Sequence, residues 1–381
     1  MSYLSTILLY MTIFISTTLL GWGAQKKVGE KVTIIRVKFF SAFFIHFIFL
    51  CFTNIGIDYG NYSRHINNVS LDNLLSYNEV GFSFLCYVIK SIVGTADITI
   101  FFIKLLTLIL FYAAFLKVKD KVNYIFLFLT YNLFLYLQGL FIIGMQISIA
   151  FLFWSFIYLV EKDTIKAFVT LIIAVTMHSS SMFFIPIYIL FIFVNRKEGI
   201  SSELKVVIVA IVYIVVYFCI GLIYNYAVTN IAQLRQYSSY GFMKSYNGTG
   251  LMQYLYFIPV FLFVFSNNKN SKCKRLNNLL TVVSMSAFLF ALLGYRFAVL
   301  ARINKSFFVL YGLLIPMFLY RRQNKIETVP EERYFFTYKS DCVIWTLYIL
   351  IRGYDFFVDF MNLKSTTDIQ YYSFFNPFKF R

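Results

Sequence analysis

Apolar stretches of about 20 residues recur along this chain, separated by short basic connectors. Residues 34–55, 98–116, 123–141, 205–228, 276–294 and 297–319 each approach or exceed the roughly 20 apolar residues that cross a bilayer. With 60% of residues hydrophobic, 13% charged and a mean hydropathy of +0.73, no soluble core would hide this surface, whereas lipid does. In lipid the backbone must bond within its own segment, so the spans are helices. The sequence predicts an all-α polytopic membrane protein, one integral membrane domain over residues 1–381 with about 11–13 membrane segments.

The net charge of +17 raises the question of nucleic acid. Its lysines and arginines fall instead as short runs beside apolar spans, the pattern of cytoplasmic loops, so no nucleic-acid partner is expected. The five cysteines are scattered and form no CxxC pair, which points away from a disulfide framework or a zinc site. Neither metal nor cofactor is expected. The first span, about 3–22, has no basic leader and no small-residue cleavage site, so it reads as a retained helix with its N-terminus outside.

Placing the basic connectors inside gives a path. Residues 3–22 run inward, 34–55 outward, 98–116 inward, 123–141 outward and 142–160 inward. Residues 205–228 then run outward, about 251–266 inward, 276–294 outward, 297–319 inward and 341–360 outward. The segment 165–194 starts and ends beside cytoplasmic charge, so it reads as a broken helix hairpin with His178-Ser179-Ser180-Ser181 at its break. Residues 80–94 form a partial span or lie in the interface. On this path the polar residues of the long loops, about 56–79 and 229–250, all face outward, and so does any chemistry.

Few polar residues interrupt the spans. Arg302 lies within an apolar run, about one and a half turns from Arg296. It is either an arginine snorkelling to the outer surface or an anion site suited to the guanidinium fork. Asp58 and Glu79 stand out in a chain with 17 carboxylates, as a general base or as counter-ions. Tyr59, Tyr62 and Arg64 surround Asp58 and fit an interfacial aromatic belt equally well. His178, one of three histidines, is either structural or placed at the helix break to meet a hydroxyl or phosphate. The 229–250 loop adds Arg235 among tyrosines and glycines, which suit sugar stacking or a plain interfacial loop.

Together these motifs resemble the EpsG-type, Wzy-like polymerases of bacterial surface polysaccharide (O-antigen, capsule or exopolysaccharide). The resemblance is carried by Asp58-Tyr59-x-x-Tyr62 after the second span and by Asn78-Glu79-x-Gly81-Phe82. It continues in Met145-Gln146-Ile147-Ser148-Ile149-Ala150, His178-Ser179-Ser180 and Ala301-Arg302-Ile303-Asn304, and covers most of residues 40–320. A closing aromatic-proline stretch, Tyr371 to Phe378, fits as well. The family usually carries arginine where this chain has Gln146, so a direct phosphate contact there passes to Arg302, Arg296 or Arg235.

The resemblance implies a GT-C-like, metal-independent glycosyltransferase in the bacterial cytoplasmic membrane with its active site outward. Donor and acceptor are polyprenyl-pyrophosphate-linked oligosaccharides, and a flippase and a chain-length regulator of the same pathway are implied partners. His178, Asp58 and Glu79 are then the catalytic candidates. Arg302, Arg296, Arg235, Tyr59, Tyr62, Arg64 and Gln146 are the substrate-binding candidates. A lipid-linked oligosaccharide flippase and a membrane O-acetyltransferase are the alternatives. Both need polar groups open to the cytoplasmic side.

Overall fold

The apolar stretches fold as helices whose ends fall on the polar connectors, giving an all-α membrane protein. The structure, a computed structural model, describes residues 3–28, 31–53, 58–136, 139–196, 202–230, 274–296, 303–307, 309–323 and 342–351. By contacts the chain divides into one unit of Met1–Ser179, Tyr311–Pro330 and Thr337–Arg381, and a second of Ser180–Leu310 with Glu331–Phe336. Among the described residues, Ala96–Lys117, Ile143–Val160 and Arg275–Gly294 are long and apolar enough to span a bilayer.

In the first unit, α1 (Tyr3–Ala24) leads into two strands, β1 (Gln25–Val28) and β2 (Lys31–Ile34), paired antiparallel from Gln25↔Ile34 to Val28↔Lys31. A basic connector expected as a loop is therefore a small hairpin; its β-branched Val28, Val32, Thr33 and Ile34 suit extended backbone. Gln25 fixes it in place. Its amide Nε2 donates to the carbonyls of Lys119 and Val122, each at 2.8 Å, and its Oε1 accepts from the Tyr124 N–H at 3.0 Å.

Next come α2 (Arg36–Cys51), α3 (Tyr59–Asn68), a 3₁₀ turn at Leu74–Ser76, α4 (Val80–Val93) and α5 (Ala96–Lys117). Gly94, at φ 82°, ends α4 in the left-handed region that glycine enters without strain, and Thr95 caps α5 by accepting from the Ile98 N–H. Then follow α6 (Tyr124–Thr130) with a π-turn over Tyr131–Tyr136, α7 (Ile143–Val160) and α8 (Thr164–Met177).

A buried polar network ties α1, α2, α5 and the π-turn together. Asn132 Nδ2 donates to Thr17 Oγ1 at 2.9 Å and Thr18 Oγ1 at 3.0 Å, which leaves its Oδ1 to accept from His46 Nε2 at 2.7 Å. In the neutral ring with Nε2–H donating, the fully buried His46 has Nδ1 left to accept from the Tyr112 hydroxyl at 2.8 Å. Leaving buried partners unsatisfied costs about 1–3 kcal/mol each. His46→Leu is therefore expected to lower the melting temperature in detergent measurably; an unchanged melting temperature would show the network to be idle.

The second unit holds α9 (Phe184–Arg196), α10 (Ser202–Asn230) and α11 (Lys274–Arg296). Phe307 packs on Phe184 and Phe290 with ring centroids 4.8 and 5.3 Å away, and Ser180 meets Ser306 at 3.1 Å. The stretch 297–319, expected as one span, departs from regular α-helix where it is described. Asn304–Phe307 is 3₁₀, Leu310–Leu314 is a π-turn, and α12 begins at Ile315 and ends at Gln323. Pro316 supplies the reason: it has no N–H for the Gly312 carbonyl, and its ring crowds that oxygen. Gly312, which belongs to the first unit, packs so closely there that an added Cβ would lie 2.6 Å from Leu135 Cδ1 and 3.0 Å from Phe153 Cζ. A last described helix, α13, covers Cys342–Ile351.

Candidate functional site

Helix α8 starts at an Asp163 cap that accepts from the Lys166 N–H, and its 14 residues rise about 21 Å before it stops. It stops because His178 turns extended, at φ −154° and ψ 126°, ahead of three serines whose hydroxyls compete for backbone groups. A 3₁₀ turn over Ser179–Phe183 follows. The break leaves the His178 imidazole off the helix, where Nδ1 pairs with Glu79 Oε1. The Ser179 N–H donates to the same oxygen at 3.4 Å.

Glu79 arrives there because it precedes α4, in non-helical backbone at φ −111° and ψ 66°. Two residues on, Gly81 lets α4 cross α8 closely. A Cβ at Gly81 would lie 2.4 Å from Thr176 Oγ1 and 3.1 Å from the Thr176 carbonyl carbon. This crossing of two glycine- and threonine-lined backbones sets the carboxylate beside the histidine.

The other carboxylate oxygen looks toward the first turn of α7. A Cβ at Gly144 would lie 3.6 Å from each of Glu79 Oε2, the Tyr62 hydroxyl and the Phe82 ring. The Gly144 N–H, an orphan donor of the helix start, donates to the Tyr62 hydroxyl at 3.3 Å. The positive end of the α7 dipole thus faces a carboxylate oxygen. Burial pushes the Tyr62 hydroxyl up, so it stays a protonated donor. His65 lies between the Tyr77 and Phe82 rings, with its Nε2 3.2 Å from Ser83 Oγ. Burial lowers its pKa, although the Glu79 charge acts against this.

Of the residues expected from sequence, the structure brings Glu79, His178 and Tyr62 together. Asp58 precedes α3, close enough to Tyr62 for its charge to be felt, and its carboxylate has no partner among the described residues. Tyr59 turns away and donates to Asp97 Oδ1 at 2.5 Å, in the first turn of α5. Burial first, and the Asp97 carboxylate second, push the Tyr59 hydroxyl up. Arg64 is exposed. Gln146 donates through Nε2 to the Leu135 carbonyl at 2.7 Å, on the π-turn. Arg235 and Arg302, and the side chain of Arg296 at the end of α11, lie outside the described residues.

Sequence reasoning placed His65 only among the polar residues of the 56–79 loop and gave Gly144 no role. Gly81 and Phe82 carried a signal in Asn78-Glu79-x-Gly81-Phe82 but no physical role until α8 was seen against them.

The arrangement has a defined chemistry. A carboxylate beside Nδ1 suits the tautomer that carries its proton on that nitrogen, the form in which Nε2 has a lone pair. Nε2 has no protein hydrogen bond among the described residues. The side chains of His178 and Glu79 are 25% and 27% exposed, open enough for a reactant to reach the ring. The pair supplies the two groups that a histidine base with an orienting carboxylate requires.

No curated protein and no solved structure matches the chain. The model of the EpsG family matches residues 36–374, most of the sequence and all of the elements that build the Glu79–His178 site. The chain belongs to the EpsG family.

Proposed function

We propose that this protein is a polysaccharide repeat-unit polymerase that joins polyprenyl-pyrophosphate-linked oligosaccharides at the outer face of the bacterial cytoplasmic membrane. Membership of the EpsG family points to polysaccharide biosynthesis by a membrane-embedded polymerase. The observation that carries the finer reading is the Glu79–His178 pair, placed at a helix break about 21 Å from the Asp163–Lys166 connector. If that connector is cytoplasmic, as its lysines suggest, the pair lies in the outer part of a hydrocarbon core about 30 Å thick.

His178 Nε2 takes the proton from the acceptor-sugar hydroxyl as its oxygen bonds to the anomeric carbon of the growing chain. The bond from that carbon to the pyrophosphate oxygen breaks, and polyprenyl pyrophosphate leaves with the electron pair. Glu79 holds the ring and stabilises the imidazolium; Tyr62 offers an O–H beside it. General-base help of this kind contributes about 10²–10⁴-fold. Asp58 and Arg64 flank the entrance in this reading, Tyr59 positions α3 on α5, and Arg302, Arg296 and Arg235 supply cations for the leaving group. A flippase and a chain-length regulator are the expected pathway partners.

Deletion of the gene followed by a gel of surface polysaccharide tests this. A polymer ladder collapsing to single repeat units supports the polymerase, whereas loss of all surface units indicates a flippase instead. The outward orientation has its own check. Single cysteines placed at 60–75 are expected to react with an impermeant reagent added outside, and those at 118–121 are not. Labelling at 118–121 from outside would overturn the orientation.

A further inference from the structure

Lys104 sits in α5, the most apolar of the spanning helices, and is 2% exposed. A lysine at membrane depth is costly, so its partners need an account. Its ammonium donates to the Thr53 carbonyl at 2.8 Å and the Thr53 hydroxyl at 3.3 Å, just past the end of α2. Both acceptors are neutral. Among the described residues no carboxylate pairs with it, and its third N–H has no acceptor. The negative end of the α2 dipole offsets only part of a full charge.

A second unpaired group lies in the first turn of α7. Gln146 is 3% exposed, and the Leu135 carbonyl accepts only, so the amide nitrogen must face it. That fixes the amide orientation and leaves Oε1 buried with no donor. Gly139 lies against both Gln146 and Leu50: a Cβ there would be 3.4 Å from Gln146 Cγ and 3.3 Å from Leu50 Cδ1. The Leu50 carbonyl in turn accepts from the Thr53 hydroxyl that Lys104 holds. The Lys104 ammonium thus sits on the backbone just past α2, while the Leu50 side chain of its last turn and Gln146 both lie against Gly139.

The depth also agrees with the candidate active site. Lys104 is 13 residues, about 20 Å, from Lys117 at the foot of α5, and α8 rises about 21 Å from its own polar end to His178. Ile103, beside Lys104, and Ile147, beside Gln146, belong to the apolar cluster that also holds Phe82 and backs Tyr62.

We infer that Lys104 and Gln146 form a seat for a glycosyl phosphate, with the Lys104 ammonium on a phosphate oxygen and Gln146 Oε1 accepting from a hydroxyl of the attached sugar. A phosphate supplies the missing negative charge and a sugar hydroxyl the missing donor, whereas a bare anion satisfies only the first. This rests on the reading of lipid-linked substrates proposed above, and it assigns to Gln146 a hydroxyl contact in place of a phosphate contact. Lys104 then shares the stabilisation of the leaving pyrophosphate with the arginines.

The test is binding of two probes to the purified full-length chain in nanodiscs: farnesyl diphosphate and its glucosyl ester. Wild type is expected to bind both. Lys104→Met is expected to weaken both at least tenfold and Lys104→Arg to restore most of the loss. Gln146→Met is expected to weaken only the glucosylated probe, by about fivefold to tenfold, the scale of one lost hydrogen bond. Unchanged binding by Lys104→Met would make the lysine a mere cap of α2 and overturn the inference. Equal effects of Gln146→Met on the two probes, or none, would overturn the hydroxyl contact. Should Lys104→Met fail to fold, Lys104→Arg and Gln146→Met decide. If wild type binds neither probe, the lipid-diphosphate reading itself falls, an outcome distinct from failure of the seat.

Discussion

His178→Ala is expected to abolish polymer formation, a loss of about 10²–10⁴-fold, while the protein remains at its normal level in the membrane. The imidazole is partly exposed and is not among the buried residues of the core, so its removal is expected to cost little stability. Its backbone N–H still donates to the Ala174 carbonyl, at 3.0 Å, whatever the side chain. Glu79→Gln is expected to do nearly as much damage by another route. Glutamine presents an amide that can face Nδ1 with a donor, which turns the ring proton toward Nε2 and blocks the base. Polymer yield in membranes from a deletion strain carrying each variant measures both. Normal polymer from His178→Ala with a dead Asp58→Asn would move the base to Asp58.

Gly81→Ala is the second large effect. The new Cβ would meet Thr176 Oγ1 at 2.4 Å and the Thr176 backbone at 3.1 Å, so α4 and α8 must separate. Overpacking of this kind costs about 1–3 kcal/mol. The larger consequence is for the site. Gly81 is two residues from Glu79, and Thr176 is two from His178, so separation at the crossing pulls the carboxylate off the ring. Activity is expected to fall at least tenfold, beyond what the stability loss explains. Adding Thr176→Gly removes the side chain that clashes and is expected to restore part of both. Full activity in Gly81→Ala alone would show that the pair does not depend on the crossing.

Much of the fold was legible because lipid imposes a simple demand, roughly 20 apolar residues in helix for each crossing. The site was partly legible for a related reason. In so apolar a chain Glu79, Tyr62 and His178 are conspicuous, and the serines after His178 announce a broken helix. Other features depend on contacts between distant residues that no local pattern encodes. Gly81 matters only once Thr176 lies against it, and Gly144 only beside Glu79 and Tyr62. Lys104 was hidden within an apolar run because a single lysine barely lowers the hydropathy of α5. The π-turn at Tyr131–Tyr136 gave no warning, since its side chains suit an ordinary helix. The hairpin at 25–34 was masked by lysines that mark a cytoplasmic connector whatever its backbone does.

The central claim is that Glu79 and His178 act as one unit in chain extension. A double-mutant cycle on the rate of polymer formation, with His178→Ala, Glu79→Gln and the two combined, tests it most directly. If Glu79 works by orienting His178, the double variant loses no more than His178→Ala alone. Independent, additive losses would contradict the account, because the carboxylate would then be acting without the histidine.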